Sequence, residues 1–555
     1  MKRLFNSLSL LLLTILLINP SLVYATRYNC GQIDLYVSQQ QKVDLSAALA
    51  EAMDKYGAGY PYSWKSSNTS VFRTSMPSRT HCYIYACGSG TAELTYHGEY
   101  YRGGSIHDID CTWTINVTVK ENGGGDNPGS GDGDVTDPIG ETWIDNGNYD
   151  KSWYKESEKN FKISTPEQLA GLAYLVNKGT NFQDKYISLE NDINLEGKRW
   201  ICIGNQYSNP FKGSFYGNKH VISGLNIAIR DEDFYSGFFG CVDKAKIKDL
   251  TLIGVLDSSS PCRACFGGLV GAAFTTEISN VSCNIPIYIN NNLKNYEKKF
   301  SLGITIGGLA GFVNWGSVTN AKYNGEIILK QRPSTAYYSS MGITVGGLIG
   351  TISDVDKIHY SESKCTEIRI ESPNWQNEES YTSEPSTPYF RIGGFIGSGS
   401  LSNDIRCCKS ECDLIEVTNH GFPHGIPTLY AGTLVGYDSS NSYIRTTNCL
   451  GVLKSITVKE SRVVTSFFAN RCDYGTDNFC NSDVKISQPS SGSKFTSFKN
   501  ATVYKLEEMK TDKFLEELNE YSIKNLDEPI WEKSDNGIPQ LIPNAGMEED
   551  EPVII

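Results

Sequence analysis

Apolar and polar positions alternate with period two, in short runs, along most of this chain, and glycine punctuates the runs. Gly237-Phe238-Phe239-Gly240, Gly268-Leu269-Val270-Gly271, Gly308-Leu309-Ala310-Gly311, Gly347-Leu348-Ile349-Gly350, Gly394-Phe395-Ile396-Gly397 and Gly432-Thr433-Leu434-Val435-Gly436 recur at separations of 31, 40, 39, 47 and 38 residues. Each block leads into a short alternating run, such as Lys246 to Leu252 or Glu277 to Val281, and then a further β-rich run such as Ile285 to Ile289. Alternation predicts strands, and a motif kept at this period predicts a solenoid. Two or three strands per repeat with no helix between them fit one coil of a parallel β-helix. The glycines supply corners, or places where neighbouring coils approach too closely for a Cβ. Leu269, Val270, Leu309, Leu348, Ile349, Phe395, Leu434 and Val435, with Ile247, Leu250, Leu252, Ile278, Val281 and Val318, are expected to stack as apolar columns inside the coil. In the last block Thr433 reads as an insertion.

A solenoid must close its ends, because an open coil exposes its core and its strand edges. Thr165-Pro166-Glu167-Gln168 supplies an N-cap, a proline at N1 and a capping-box glutamine. Leu169, Leu172, Ala173 and Val176 follow at helical spacing, with Gly179 as terminator. Leu506, Met509, Phe514, Leu515 and Leu518 predict one or two helical turns at the other end, and Trp531 with Pro539-Gln540-Leu541 a closing hairpin. Upstream, residues 26–121 hold β-rich runs at Ile33 to Val37, Tyr62 to Trp64, Tyr83 to Tyr85, Ala92 to Thr95 and Trp113 to Val119, which point to a β-sandwich. Leu45 to Tyr56 reads as helical. Residues 122–140 carry seven glycines and four aspartates with almost no apolar side chain. They read as a flexible linker spanning roughly 24 Å. Its aspartates lack the spacing of a calcium loop.

The glycine blocks resemble the GLUG motif of secreted and surface-associated bacterial proteins; three match Gly-Leu-apolar-Gly directly, and Phe238 and Phe395 replace Leu in two others. The resemblance covers about residues 143–545 and implies a right-handed parallel β-helix with short helical caps; it is not specific for an activity. Trp64 to Val71, Gly90 to Thr95 and the run 113–119 resemble the bacterial immunoglobulin-like domains of group 2, which implies a stalk or spacer module. The all-β organisation is therefore a signal peptide at 1–25, an immunoglobulin-like β-sandwich at 26–121, the linker at 122–140, the β-helix with its caps at 141–545 and an acidic tail at 546–555.

Composition narrows the function. Lys2 and Arg3, an apolar stretch from about Leu8 to Ile18 and Val23-Tyr24-Ala25 form an export signal, and no later segment is long and apolar enough to span a bilayer. The protein is thus expected outside the cytosol: extracellular, at the cell surface or in the periplasm. Fifty Lys and Arg against 63 Asp and Glu give a net charge of −13, the wrong sign for tracking nucleic acid. Of the 16 cysteines, Cys30, Cys82, Cys87 and Cys111 in the first domain and Cys262, Cys265, Cys365 and Cys412 in the second are candidates for disulfides, as export permits. Aligning the coils puts Cys283, Cys365, Cys412, Cys449 and Cys480 near one corner, where a ladder of buried thiols competes with cross-linking.

Motifs for chemistry are sparse. His420 and His424 are four apart, but Gly421 and Pro423 forbid the helix that would present them to a metal, so no metal or cofactor is expected. No G-x-S-x-G elbow or phosphate loop occurs, and no residue is singled out as catalytic. Extra residues at 290–303, 330–342, 371–391 and 419–430 fall at one phase of the repeat, so they should emerge on one side of the solenoid. They gather Tyr296, Tyr337, Tyr338, Trp375, Tyr381, Tyr389, Phe422 and Tyr430, rings that can stack on sugars or anchor a protein. The expectation is an adhesin-like binding protein whose loop-lined face takes a glycan or protein ligand. The alternative is a polysaccharide lyase or glycoside hydrolase, whose acid and base leave little linear signature on a β-helix.

Overall fold

The computed structural model describes residues 26–36, 40–44, 62–67, 72–75, 81–86, 90–102 and 105–118, then 142–144, 147–227, 234–258, 264–291, 300–331, 338–371, 389–418, 428–438, 443–459, 462–465, 474–487, 501–543 and 545. The chain divides into two compact units, 1–136 and 137–555. The export signal, the Leu45 to Tyr56 segment, the linker and the acidic tail lie outside the described residues.

The first unit contains two sheets. One orders Thr26–Tyr36, Ser105–Thr118, Gly90–Arg102 and Tyr62–Ser66, the other Gln40–Asp44, His81–Ala86 and Phe72–Ser75. Thr26–Tyr36 runs parallel to Ser105–Thr118, and the other pairings are antiparallel. Along the long hairpin, alternation pairs Ala92 with Ile115, Leu94 with Trp113 and Tyr96 with Cys111, and all six are buried. One face of that hairpin is therefore core.

The second unit is a parallel β-helix. A seven-stranded sheet carries the strands that precede the six glycine blocks, Tyr235–Ser236, Ala264–Gly267, Phe300–Gly307, Tyr338–Gly346, Tyr389–Gly393 and Thr428–Gly432, and a seventh, Arg462–Thr465, one coil further on. The strands after the blocks join a 24-stranded ladder. Pairing in both is parallel and in register from coil to coil. Like therefore stacks on like. One interior column runs Phe161, Ile187, Phe215, Ile247, Ile278, Val318, Ile358, Ile405. Another runs Leu256, Ile287, Ile327, Ile368, Ile415, Ile456. All of these are buried, as are the 14 core positions expected from the sequence. Branched side chains suit stacked strands, since each covers its equivalent one coil away.

Close approach, and not turning, explains the glycine blocks. None of their glycines has a positive φ. A Cβ on Gly268, Gly308, Gly347 or Gly394 would come within 2.0–2.7 Å of the carbonyl oxygen at the same place in the next coil. One on Gly397 would meet the Val345 backbone at 2.7 Å, and one on Gly436 the Ile392 backbone at 2.4 Å. The corner is turned elsewhere: Asn218, Asp249, Asn280, Asn320, Tyr360, Cys407, Asn448 and Asp477, one per coil, hold φ between 50° and 57°. Asn and Asp tolerate this left-handed conformation best, and they ladder, with Asn280 Nδ2 donating to Asp249 Oδ1 and Asn320 Nδ2 to Asn280 Oδ1.

Thr433 is not an insertion. Gly393 pairs with Gly432 and Ile396 with Val435, so Thr433 replaces the glycine at 394 in a five-residue block.

Both ends are closed. Helix α1 (Pro166–Asn177) starts at Thr165, whose side chain accepts from the Gln168 amide. Gln168 Oε1 accepts from Ser164 N, one residue earlier than a capping box requires. Its Leu169, Leu172, Ala173 and Val176 join the solenoid core. At the other end, a short 3₁₀ turn (Glu508–Lys510) precedes helix α2 (Asp512–Leu526), longer than the two turns expected. Trp531–Lys533 and Pro539–Leu541 form the hairpin. Phe514, Leu518, Trp531 and Leu541 pack on Leu450, Val452 and Phe479, and Trp531 Nε1 donates to the corner residue Asn448. Among the described residues no helix is long and apolar enough to cross a membrane.

Candidate ligand-binding site

Alternation decides what each strand of the seven-stranded sheet shows outside. Phe266, Ile306, Val345, Ile392 and Ala431 point inward and are buried. The residues between them form an outward row in register: Tyr235, Cys265, Thr305, Thr344, Arg391, Tyr430. Beyond the glycine block a second row runs Cys241, Ala272, Phe312, Thr351, Ser398, Tyr437. Because the last glycine of each block lies against the seven-stranded sheet's backbone, the two rows meet along a re-entrant seam.

At the later coils this seam is a set of aromatic rings around one cation. The Arg391 guanidinium lies 4.2 Å from the ring centre of Tyr389 and 4.2 Å from that of Tyr437. Tyr430 meets Tyr437 at 4.7 Å, tilted by 58°. Tyr389 covers Gly342, where a Cβ would come within 2.4 Å of the phenol oxygen. The guanidinium Nε is buried without a hydrogen-bond partner, and Arg391 has no ion pair among the described residues. Stacking on two rings offsets part of the desolvation. It supplies no counter-charge.

A second aromatic group lies three coils earlier along the same seam. Tyr207 meets Phe274 at 5.4 Å and Phe274 meets Phe312 at 5.8 Å. Tyr207 is 66% exposed and the nearby Trp315 56%. Phe312 occupies the row that ends at Tyr437, about 14 Å away at the usual strand spacing.

Of the expected ligand-binding rings, Tyr389 and Tyr430 belong to this seam. Both sit in strands and not in loops, as does Tyr338. Tyr296, Tyr337, Trp375, Tyr381 and Phe422 lie outside the described residues, as do His420 and His424. The described strands before these segments end at one phase, Asn291 aligning with Gln331 and Glu371 with Thr418. Sequence reading missed Arg391, Tyr437 and the Phe274–Phe312 group. Their signal, an aromatic or basic residue within three places of a glycine block, was open to view.

In the 24-stranded ladder, the strands Ile287–Asn291, Ala310–Gln331, Glu362–Glu371 and Lys409–Thr418 carry a different cluster. Tyr288 donates to Glu326, which is 7% exposed. Burial pushes the Glu326 carboxyl up to about 7, partly opposed by that hydrogen bond, and the charge of Glu367 adds to the rise. Arg369 binds Glu367 at 2.5 Å and Glu416 at 3.4 Å, and Lys459 binds Glu416 at 3.1 Å. This cluster neutralises itself.

The disulfide expectation needs correction. Cys265, Cys365 and Cys412 are free thiols, and Cys111 is buried in the first unit; Cys87 and Cys262 lie outside the described residues, and Cys30 and Cys82 lie in strands whose side chains are not described. Cys365 and Cys412 are in register, but each thiol donates to a carbonyl two residues along its own coil, Glu367 and Leu414. The proposed common corner is three columns. Cys283 and Cys480 belong to the column through Tyr323, Ser363, Ser410 and Gly451, whereas Cys449 lies beside Cys408. Burial raises Cys265 and Cys480 to about 12, which leaves both inert as nucleophiles. No group of three or more metal-ligating side chains occurs among the described residues.

No family model matches the chain, and no curated protein does. Among solved structures, that of a "putative immunoglobulin A1 protease" from Bacteroides ovatus is 16% identical, covering 70% of this chain and 93% of that one at a TM-score of 0.36. What defines the class is the chain's own geometry: a capped parallel β-helix repeat protein with an aromatic seam.

Proposed function

We propose that this is an exported binding protein of the cell surface, in which a GLUG-type β-helix presents the seam to a linear ligand and the first unit, an immunoglobulin-like module, acts as spacer. The Tyr389–Arg391–Tyr430–Tyr437 cluster carries this reading. Rings fixed on strands give a large contact area at small entropic cost, and their support on a rigid coil pre-organises them. The continuation of the row to Phe312 favours an extended ligand, a glycan or a stretch of matrix protein, over a compact one.

An array of glycans and matrix proteins probed with the full chain and with the Tyr389→Ala, Tyr430→Ala, Tyr437→Ala triple variant tests it. The triple variant should lose any ligand the parent holds while melting within a few degrees of it. Binding that survives those changes overturns the reading.

A carbohydrate-active enzyme is the second reading, favoured by one observation: burial holds the Glu326 carboxyl up at about 7 with Glu367 nearby, and two carboxyl groups in different surroundings suit acid and base roles. Against it, Glu326 lies beneath Tyr288 and is almost wholly buried. Release of reducing sugar from polysaccharide by the parent, lost in Glu326→Gln, would establish it.

A further inference from the structure

We infer that the seam recognises an acidic carbohydrate, with Arg391 as the residue that receives a carboxylate or sulfate carried on a sugar ring. The inference rests on the binding role proposed for the seam and names its ligand class.

Three observations combine. Arg391 is half-buried, its guanidinium carbon 4.2 Å from the centres of two phenol rings. Its Nε is desolvated and unpaired, a state that native proteins rarely leave unexplained. Arg369 and Arg406, on the other faces, each bind a carboxylate. A guanidinium stacked on two rings, with no carboxylate partner among the described residues, gains a charge-assisted pair when an oxyanion arrives. The rings beside it supply the apolar surface on which a sugar stacks.

The rest of the molecule argues against other polyanions. A net charge of −13 disfavours nucleic acid, which needs many cations in a track. One arginine in a long aromatic seam suits a ligand whose charges are spaced sugar by sugar. Chemistry favours Arg over Lys here, because only the planar fork both stacks and binds an oxyanion in two places.

The test is affinity electrophoresis of the full chain in gels containing polygalacturonate, dextran sulfate or neutral galactan, for the parent, Arg391→Gln and Arg391→Lys. The expected result is retardation by at least one acidic polymer, weakened tenfold or more in Arg391→Gln and partly restored in Arg391→Lys. Which acidic polymer retards the parent separates carboxylate from sulfate. Absence of retardation in both acidic gels, retardation unchanged by Arg391→Gln, or equal retardation in galactan overturns the inference. Arg391-dependent capture of an acidic protein in place of either polymer also overturns it. If neutral glycans bind and the tyrosine variant loses them, the seam's binding role stands and only the acidic class fails. Equal melting temperatures of Arg391→Gln, Arg391→Lys and the parent exclude misfolding as the cause.

Discussion

Arg369 and Arg391 stand on two faces of one solenoid, each in a strand with in-register neighbours, and their surroundings differ. Arg369 sits among Glu367, Glu416 and the buried Glu326, and its partners are paired in turn with Lys459 and Tyr288. Arg391 sits among Tyr389, Tyr430 and Tyr437 and meets no carboxylate among the described residues. A face that balances its own charge contributes to holding coils together. A face that leaves one cation stacked on rings does no such balancing, and it is there that the proposed binding is placed. In a repeat whose equivalent positions stack, that difference is local: the same phase of the coil carries Thr344 and Thr305 in earlier coils.

The largest effect should come from the core that both faces share. Leu348 is fully buried, and Leu348→Asp places an unpaired charge there at a cost of several kcal/mol or more. Thermal melting should show loss of the cooperative transition of the second unit, and an unchanged melt would refute the stacked-column assignment. Gly397→Ala comes next. Its Cβ would lie 2.6–2.7 Å from the backbone of the preceding coil at Gly350 and Val345, and overpacking of that kind costs about 1–3 kcal/mol. A variant as stable as the parent would show that the block glycines are not there for close approach.

The self-balanced face has a pH signature. The folded-state pKa of Glu326 is raised from an ordinary 4.5 to about 7. The native state therefore binds this proton more tightly than the unfolded chain, and the stability it contributes is present below about pH 4.5 and lost as pH rises through 7. The difference amounts to about 3 kcal/mol. Glu326→Gln, which still accepts from Tyr288, should raise stability at pH 8 and leave it nearly unchanged at pH 4, as read from denaturant midpoints. An equal change at both pH values would rule out the buried, protonated carboxyl.

Much of this architecture was legible in the sequence because a solenoid writes its core in repeats. Leu269, Leu309, Leu348 and Phe395 announce themselves by the glycines beside them, and α1 by Thr165, Pro166 and Gln168. The corners were less visible, since Asn280, Tyr360 and Cys407 share only a backbone conformation. The cysteine columns were misread because alignment on the glycine blocks ignores insertions within a coil: Cys283 and Cys365 fall two residues out of phase. The seam was half legible. Tyr389 and Tyr430 stand out as aromatics before a glycine block, but nothing in a linear sequence shows that Tyr437, beyond the block, returns to the same arginine.

If these two faces divide stability from binding, paired substitutions measure the division directly. Arg369→Gln and Arg391→Gln, each compared with the parent for melting temperature and for retardation by polygalacturonate and dextran sulfate, should dissociate the two properties. Arg369→Gln should lose about 1–2 kcal/mol of stability and keep its retardation, while Arg391→Gln should keep its melting temperature and lose retardation tenfold or more. The opposite pattern, with Arg391→Gln destabilised and Arg369→Gln unable to bind, would contradict the account.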